Sequence, residues 1–186
     1  MILFPCCQPS DSYIDLSENA KEFLQFEIGD SFLLTNLETD EIIELNITFK
    51  EIDYIDGSAS NTGTFLDFRG DSFFEQGLYL FSDQSNCYKG NLKIEARSEN
   101  EFEFTITLLD CFGENLTTSN INNFEFEHDD EIISINVNGV DYPETYILNT
   151  VNNTSFLDNT IFYTKENGII QIDNNRSQST VFTITE

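Results

Sequence analysis

Four cysteines, one histidine and a large excess of carboxylates are the side chains through which this 186-residue chain could do chemistry. Cys6 and Cys7 follow the apolar run Ile2-Leu3-Phe4-Pro5 and precede the polar stretch Gln8-Pro9-Ser10-Asp11. An apolar run ending at cysteine, with a polar tether after it, is the arrangement in which a bacterial signal peptide is cut and the cysteine thiol receives a lipid. One of Cys6 and Cys7 is therefore the expected lipid-attachment residue. The apolar run falls short of the roughly 7–15 residues of a full signal core, so the stretch reads as a signal remnant. An ordinary N-terminus with two incidental thiols is the alternative.

Cys87 and Cys111 form a second pair, at the ends of two expected strands that flank a hairpin. In an oxidising compartment a bridge closing such a loop of about 25 residues contributes about 3 kcal/mol. Two buried free thiols are the other reading. The cysteine spacings do not suit structural zinc, and a single His cannot complete such a site.

The densest acidic run holds that His: Glu125, Glu127, His128, Asp129 and Asp130, followed by Glu131. Oxygen ligands at short spacing suit calcium, and the imidazole would suit a transition metal. Glu125 and Glu127 also alternate with Phe124 and Phe126, as the wet side of a strand would. Asp53, Asp56, Asn61 and Asp67 are a second set of oxygen donors, around a loop whose Gly and Asp are equally explained by turn chemistry. A Ser- or Cys-based nucleophile needs a base beside it, and the one His lies in this acidic run without a Gly-x-Ser-x-Gly elbow. No catalytic residue and no cofactor are expected.

The elements that would carry these groups are strands. With 34 Asp+Glu against 8 Lys+Arg the net charge is −26, too negative and too poor in clustered cations for a nucleic-acid partner. No apolar run approaches the roughly 20 residues of a membrane-spanning helix. Ile and Asn each occur 20 times and Ala only 3 times, which favours pleated, half-buried segments joined by turns. Strict alternation recurs at Leu45, Ile47 and Phe49, at Leu92, Ile94 and Ala96, at Phe102, Phe104, Ile106 and Leu108, and at Ile133, Ile135 and Val137. One greasy and one wet face point to antiparallel sheet. Asn138-Gly139 and Asn167-Gly168 mark hairpin turns, as does Ser98–Glu101. Pro143 inside a strand-like run marks an edge or a bulge. The one helix candidate is Leu16–Phe26, a short helical turn at most, with Ser17 as its cap.

The pattern predicts an all-β protein: a single curved antiparallel sheet or half-barrel with at most one short N-terminal helix. Residues 1–20 are expected to be signal remnant and tether, and 21–186 a single β domain. The both-sided apolar run Leu78-Tyr79-Leu80-Phe81, with Phe73-Phe74, reads as a central strand covered on both faces, or as the lining of an apolar-ligand cavity.

Three segments carry a family resemblance. Phe26-Glu27-Ile28-Gly29-Asp30-Ser31-Phe32 is similar to the opening strand turn of many small Bacteroidota cell-envelope lipoproteins. Ile135–Tyr142 resembles their Asn-Gly-then-Tyr hairpin, and Thr160–Ile172 their closing hairpin. The resemblance implies a lipid-anchored, extracytoplasmic protein of the outer membrane with no enzyme activity. Its expected partners are the membrane, through the lipid anchor only, and an envelope protein or an apolar small molecule held as by a carrier. A calcium-dependent adhesin or glycan-binding module is the remaining alternative.

Overall fold

The structure is a computed structural model that describes residues 11–57, 72–98, 101–109, 115–121, 132–149, 159–174 and 178–185. Among these, twelve strands form one curled sheet, the half-barrel that the alternation predicts, and there is one short helix. In chain order they are β1 (Ser12–Ile14), α1 (Glu18–Lys21), β2 (Ser31–Asn36), β3 (Glu41–Asp56), β4 (Ser72–Ser82), β5 (Lys89–Ala96) and β6 (Phe102–Leu109). Then follow β7 (Asn115–Ile121), β8 (Ile132–Val137), β9 (Val140–Asn149), β10 (Asn159–Thr164), β11 (Gly168–Asn174) and β12 (Ser179–Ile184).

Two meanders make the sheet. β2 to β7 pair consecutively, as do β8 to β12, and β12 joins the halves by pairing antiparallel with β2 through Phe182–Asn36 and Ile184–Leu34. The sheet curls until β7 lies against β9 and β10. β1 adds to the far end of β4 in parallel, with Tyr13 beside Phe73.

The local signals act as their chemistry requires. Asn138 and Gly139 both take positive φ, 54° and 92°, the conformation a two-residue hairpin needs. Phe102, Phe104, Ile106 and Leu108 are all buried, as are Leu92, Ile94 and Ala96 opposite them. Pro143 sits at a bulge, where the β8–β9 register shifts between Ile133 and Ile135. Beyond that bulge the hairpin tip turns onto the convex side. Asn138 Nδ2 donates to the Ile184 carbonyl of β12 (3.3 Å), and Val137, Tyr142 and Ile170 bury a small second core.

Three expectations yield to this geometry. Phe49 alternates with Ile47 in sequence, yet a bulge between them shifts the β3–β4 register and turns Phe49 outward. Leu80 is also exposed, so β4 is covered on one face only. The chain joins the fold at Ser12, before the boundary at residue 20 that the sequence suggests: β1 is in the sheet, and Leu16 and Ala20 are buried.

The concave face is filled by the N-terminal segment. Ser17 caps α1, its Oγ accepting from Ala20 N (3.2 Å), and a 3-10 turn, Glu22–Leu24, continues it. Phe23 packs at the centre, its ring 5.0 Å from those of Phe104 and Tyr146 and 5.7 Å from that of Phe102. Leu24 lies over Gly77, where a Cβ would come within 2.4 Å of its Cδ1, so a side chain there would push the Leu24 side chain aside.

Candidate functional site

Beside the plug, a half-open cleft of about 710 Å³ lies between the kinked tip of β9 and the β10–β11 turn. Val140–Glu144 form one wall, Thr164–Asn167 the other, and Glu22 and Gln25 the floor. Each wall has a local cause. Pro143 cannot donate to a ladder, and the bulge around it re-aims the tip. The opposite turn is held by Thr164, whose Oγ1 accepts from Asn167 N at 3.0 Å.

Lys165 is the cleft's cation. Its ammonium pairs with the Glu22 carboxylate, and Gln25 Nε2 donates to its backbone carbonyl. Its Nζ stands 5.2 Å from the Phe23 ring centre and 5.8 Å from that of Tyr146, within cation–π range. Burial opposes its charge, but the Glu22 bond and the Tyr146 hydroxyl outweigh burial and hold its pKa above the ordinary lysine value. Tyr146 is itself raised, chiefly by burial, with Lys165 pulling the other way. Lys165 is thus a protonated latch between the turn and the plug, poorly suited to act as a nucleophile.

Further in, Tyr163 is fully buried and its hydroxyl meets no hydrogen-bond partner among the described residues; burial drives its pKa well above the usual value. Tyr79 donates to the Phe26 carbonyl at 3.0 Å and is raised by burial too. Lys50 reaches the same carbonyl at 2.9 Å and Glu27 at 2.7 Å.

On the outer face two carboxylates, Glu95 and Glu103, stand directly opposite each other on β5 and β6, both buried. Like charges in that position repel. Arg97 binds both, with Nη1 2.6 Å from Glu95, while Lys93 and Gln76 each reach Glu95 at 3.1 Å. The pair is a neutralised structural network.

Cys87 is disulfide-bonded. The turn before it is tied by Asp83, whose carboxylate accepts from Tyr88 N (2.7 Å) and Ser85 N (3.1 Å). Burial works against the Asp83 charge, but these bonds, with those from the Ser85 hydroxyl and Cys87 N, hold its pKa below the usual carboxylate value.

Cys6, Cys7 and Cys111 lie outside the described residues, as do Glu125, Glu127, His128, Asp129, Asp130, Asn61 and Asp67. Of the second oxygen-donor set, Asp53 and Asp56 are described, and Asp53 Oδ1 accepts from Tyr54 N at 2.7 Å. Among the described residues no three His, Cys, Asp or Glu side chains gather as metal ligands would. Sequence reasoning missed the Lys165 cleft, because Glu22, Glu144 and Lys165 are far apart in the chain. Its one sequence signal was Pro143 near an Asn-Gly hairpin.

Comparison with protein-family models, curated proteins and solved structures finds no match. The class stated by the fold itself is a helix-plugged antiparallel half-barrel with a polar cleft at its rim.

Proposed function

We propose that this chain is a non-enzymatic protein of the bacterial cell envelope. A lipid on Cys6 or Cys7 holds it to a membrane, and its β domain serves binding or structural work, as in the lipoproteins it resembles. The observation that carries this reading is the disulfide at Cys87, because such bonds persist in oxidising compartments and are rare in the cytosol. The β5–β6 register supports Cys111 as its partner: Lys89 pairs with Leu109, and in the sequence Cys87 and Cys111 each stand two positions outside that pair. Non-reducing peptide mapping tests that pairing.

The binding surface is the Lys165 cleft rather than the concave face. A carrier of apolar ligands needs an open concavity, and Phe23, Leu24 and Ala20 occupy this one. The cleft suits an envelope protein partner: it is half open, lined by Glu22, Asp141, Glu144 and Glu166, and offers Val140 and Pro143 as apolar footing. The deciding experiment is mass spectrometry of the N-terminus after expression with the native upstream DNA. A diacylglyceryl cysteine is expected, and an unmodified Met1 would overturn the anchored reading.

A further inference from the structure

The long hairpin of β3 and β4 runs well past the neighbouring strands. β2 pairs with β3 only up to Asn46 and β5 with β4 only as far as Gln76, whereas β3 and β4 stay paired out to Asp56 and Phe73. This arm has β1 as its third strand. On one of its faces Tyr13 stacks on Phe73 (5.0 Å between ring centres) and meets Tyr54 edge-on (5.2 Å). Tyr13 remains 59% exposed, Ile52 48% and Tyr54 40%. Ile52 shares that face: Ile52 and Tyr54 pair with Gly77 and Glu75, which lie on the side of β4 turned to the plug. Rings left this open add little to the stability of the arm.

We propose that this aromatic face rests on the surface of the membrane that holds the anchor. The inference rests on the anchored reading above, and the length of chain between anchor and arm is what selects the occupant. Cys7 and Ser12 are five residues apart, so the start of β1 lies no more than about 17 Å from the lipidated residue even when the tether is fully extended. From Cys6 the reach is about 20 Å. Tyr13 is the next residue after that fixed point. A tyrosine ring, apolar in body and polar at its tip, partitions to the boundary between headgroups and acyl chains. Tethering keeps the local concentration of membrane high, so a contact too weak to recruit the protein suffices to orient it.

Charge selects the lipid. Asp15 accepts the Tyr54 hydroxyl bond, Asp11 precedes β1, and Asp53 and Glu51 lie on the same ribbon. With a chain charge of −26 this rim is repelled by anionic headgroups, so the arm meets zwitterionic ones. The domain would then stand with its arm down and the opposite end of β3, the Leu37–Asp40 turn, pointing away from the bilayer.

The chain contains no tryptophan, so one introduced indole reports alone. A Cys6→Ser chain, coupled through Cys7 to a maleimide lipid, is placed on vesicles of phosphatidylethanolamine and phosphatidylcholine with and without brominated acyl chains. Tyr13→Trp and, separately, Ile52→Trp should shift to the blue and lose roughly half their emission to bromine, as expected of an indole at interfacial depth. Leu37→Trp should do neither. Replacing part of the lipid with phosphatidylglycerol should weaken the response. Solution-like emission from both arm reporters on the tethered, folded protein overturns the proposal. So does a shift that ignores bromine but grows with protein density, which would mark a second copy as the occupant. The maleimide lipid supplies the anchor in every arm of the test, so an unmodified Met1 in the native host would remove the anchored reading without altering this outcome.

Discussion

Phe23 and Tyr13 sit ten residues apart on one segment, and each is the hub of an aromatic cluster. Their ring distances are similar, 5.0–6.0 Å around Phe23 and 5.0–5.2 Å around Tyr13. Their surroundings are opposite: Phe23 is 1% exposed and Tyr13 is 59% exposed. The same ring contacts therefore do different work. Around Phe23 the surface removed from water supplies the stabilisation, with ring geometry a minor addition. Around Tyr13 little surface is removed, and the rings remain available to something outside the chain.

The sharpest way to break this contrast is to truncate each hub. Phe23→Ala should cost about 3–5 kcal/mol in urea unfolding, because it opens a cavity at the centre of the plug. A loss below about 1 kcal/mol would mean that the plug is not part of the core. Next in size, Cys87→Ser, or reduction, should cost about 3 kcal/mol if Cys111 is the partner; the same loss in Cys111→Ser, with no further loss in the double variant, identifies the pair.

The two clusters should also part on alkaline titration. Burial raises Tyr79, Tyr146 and Tyr163, while Tyr54 is pushed up to about 12, chiefly by its hydrogen bond to Asp15. Their folded pKa values lie above the unfolded value of 10.0, so the unfolded chain loses these protons first. The stability they contribute is complete below pH 10.0 and falls as the pH rises towards about 12 and beyond. Absorbance titration of phenolate should show Tyr54→Phe removing one of the late transitions.

Smaller still is Tyr163→Phe. Deleting a buried hydroxyl that has no partner among the described residues should leave the fold as stable or up to about 1 kcal/mol more stable, read as an unchanged or raised Tm; a loss above that would show a hidden partner. Tyr13→Ala should change stability least, by under about 1 kcal/mol, and would be felt at the membrane rather than in the melt.

How much of this was legible in the chain depends on how local each signal is. The hairpins at Asn138-Gly139 and Asn167-Gly168, the bulge at Pro143 and the Ser17 cap each depend on a few adjacent residues, and each lies where its chemistry places it. Phe49 shows the limit. Its alternation with Leu45 and Ile47 is intact in sequence, but one bulge residue turns it outward, and the sequence carries no mark of that shift. The Lys165 cleft shows it again, because its walls meet only once β9 has kinked and Glu22 has reached the β10–β11 turn.

The amino-acid sequence by itself determined the strand content, the acidic wet faces, the turns and the one capped helical turn, because period-two burial, positive-φ residues and capping hydroxyls act over a few residues. Only the tertiary structure decided that β12 pairs with β2, that Phe23 fills the concave face while Leu24 sits over Gly77, and that Tyr13 stays in solvent. Those choices turn on which apolar surfaces leave water together when distant segments meet, and no local pattern encodes that sum.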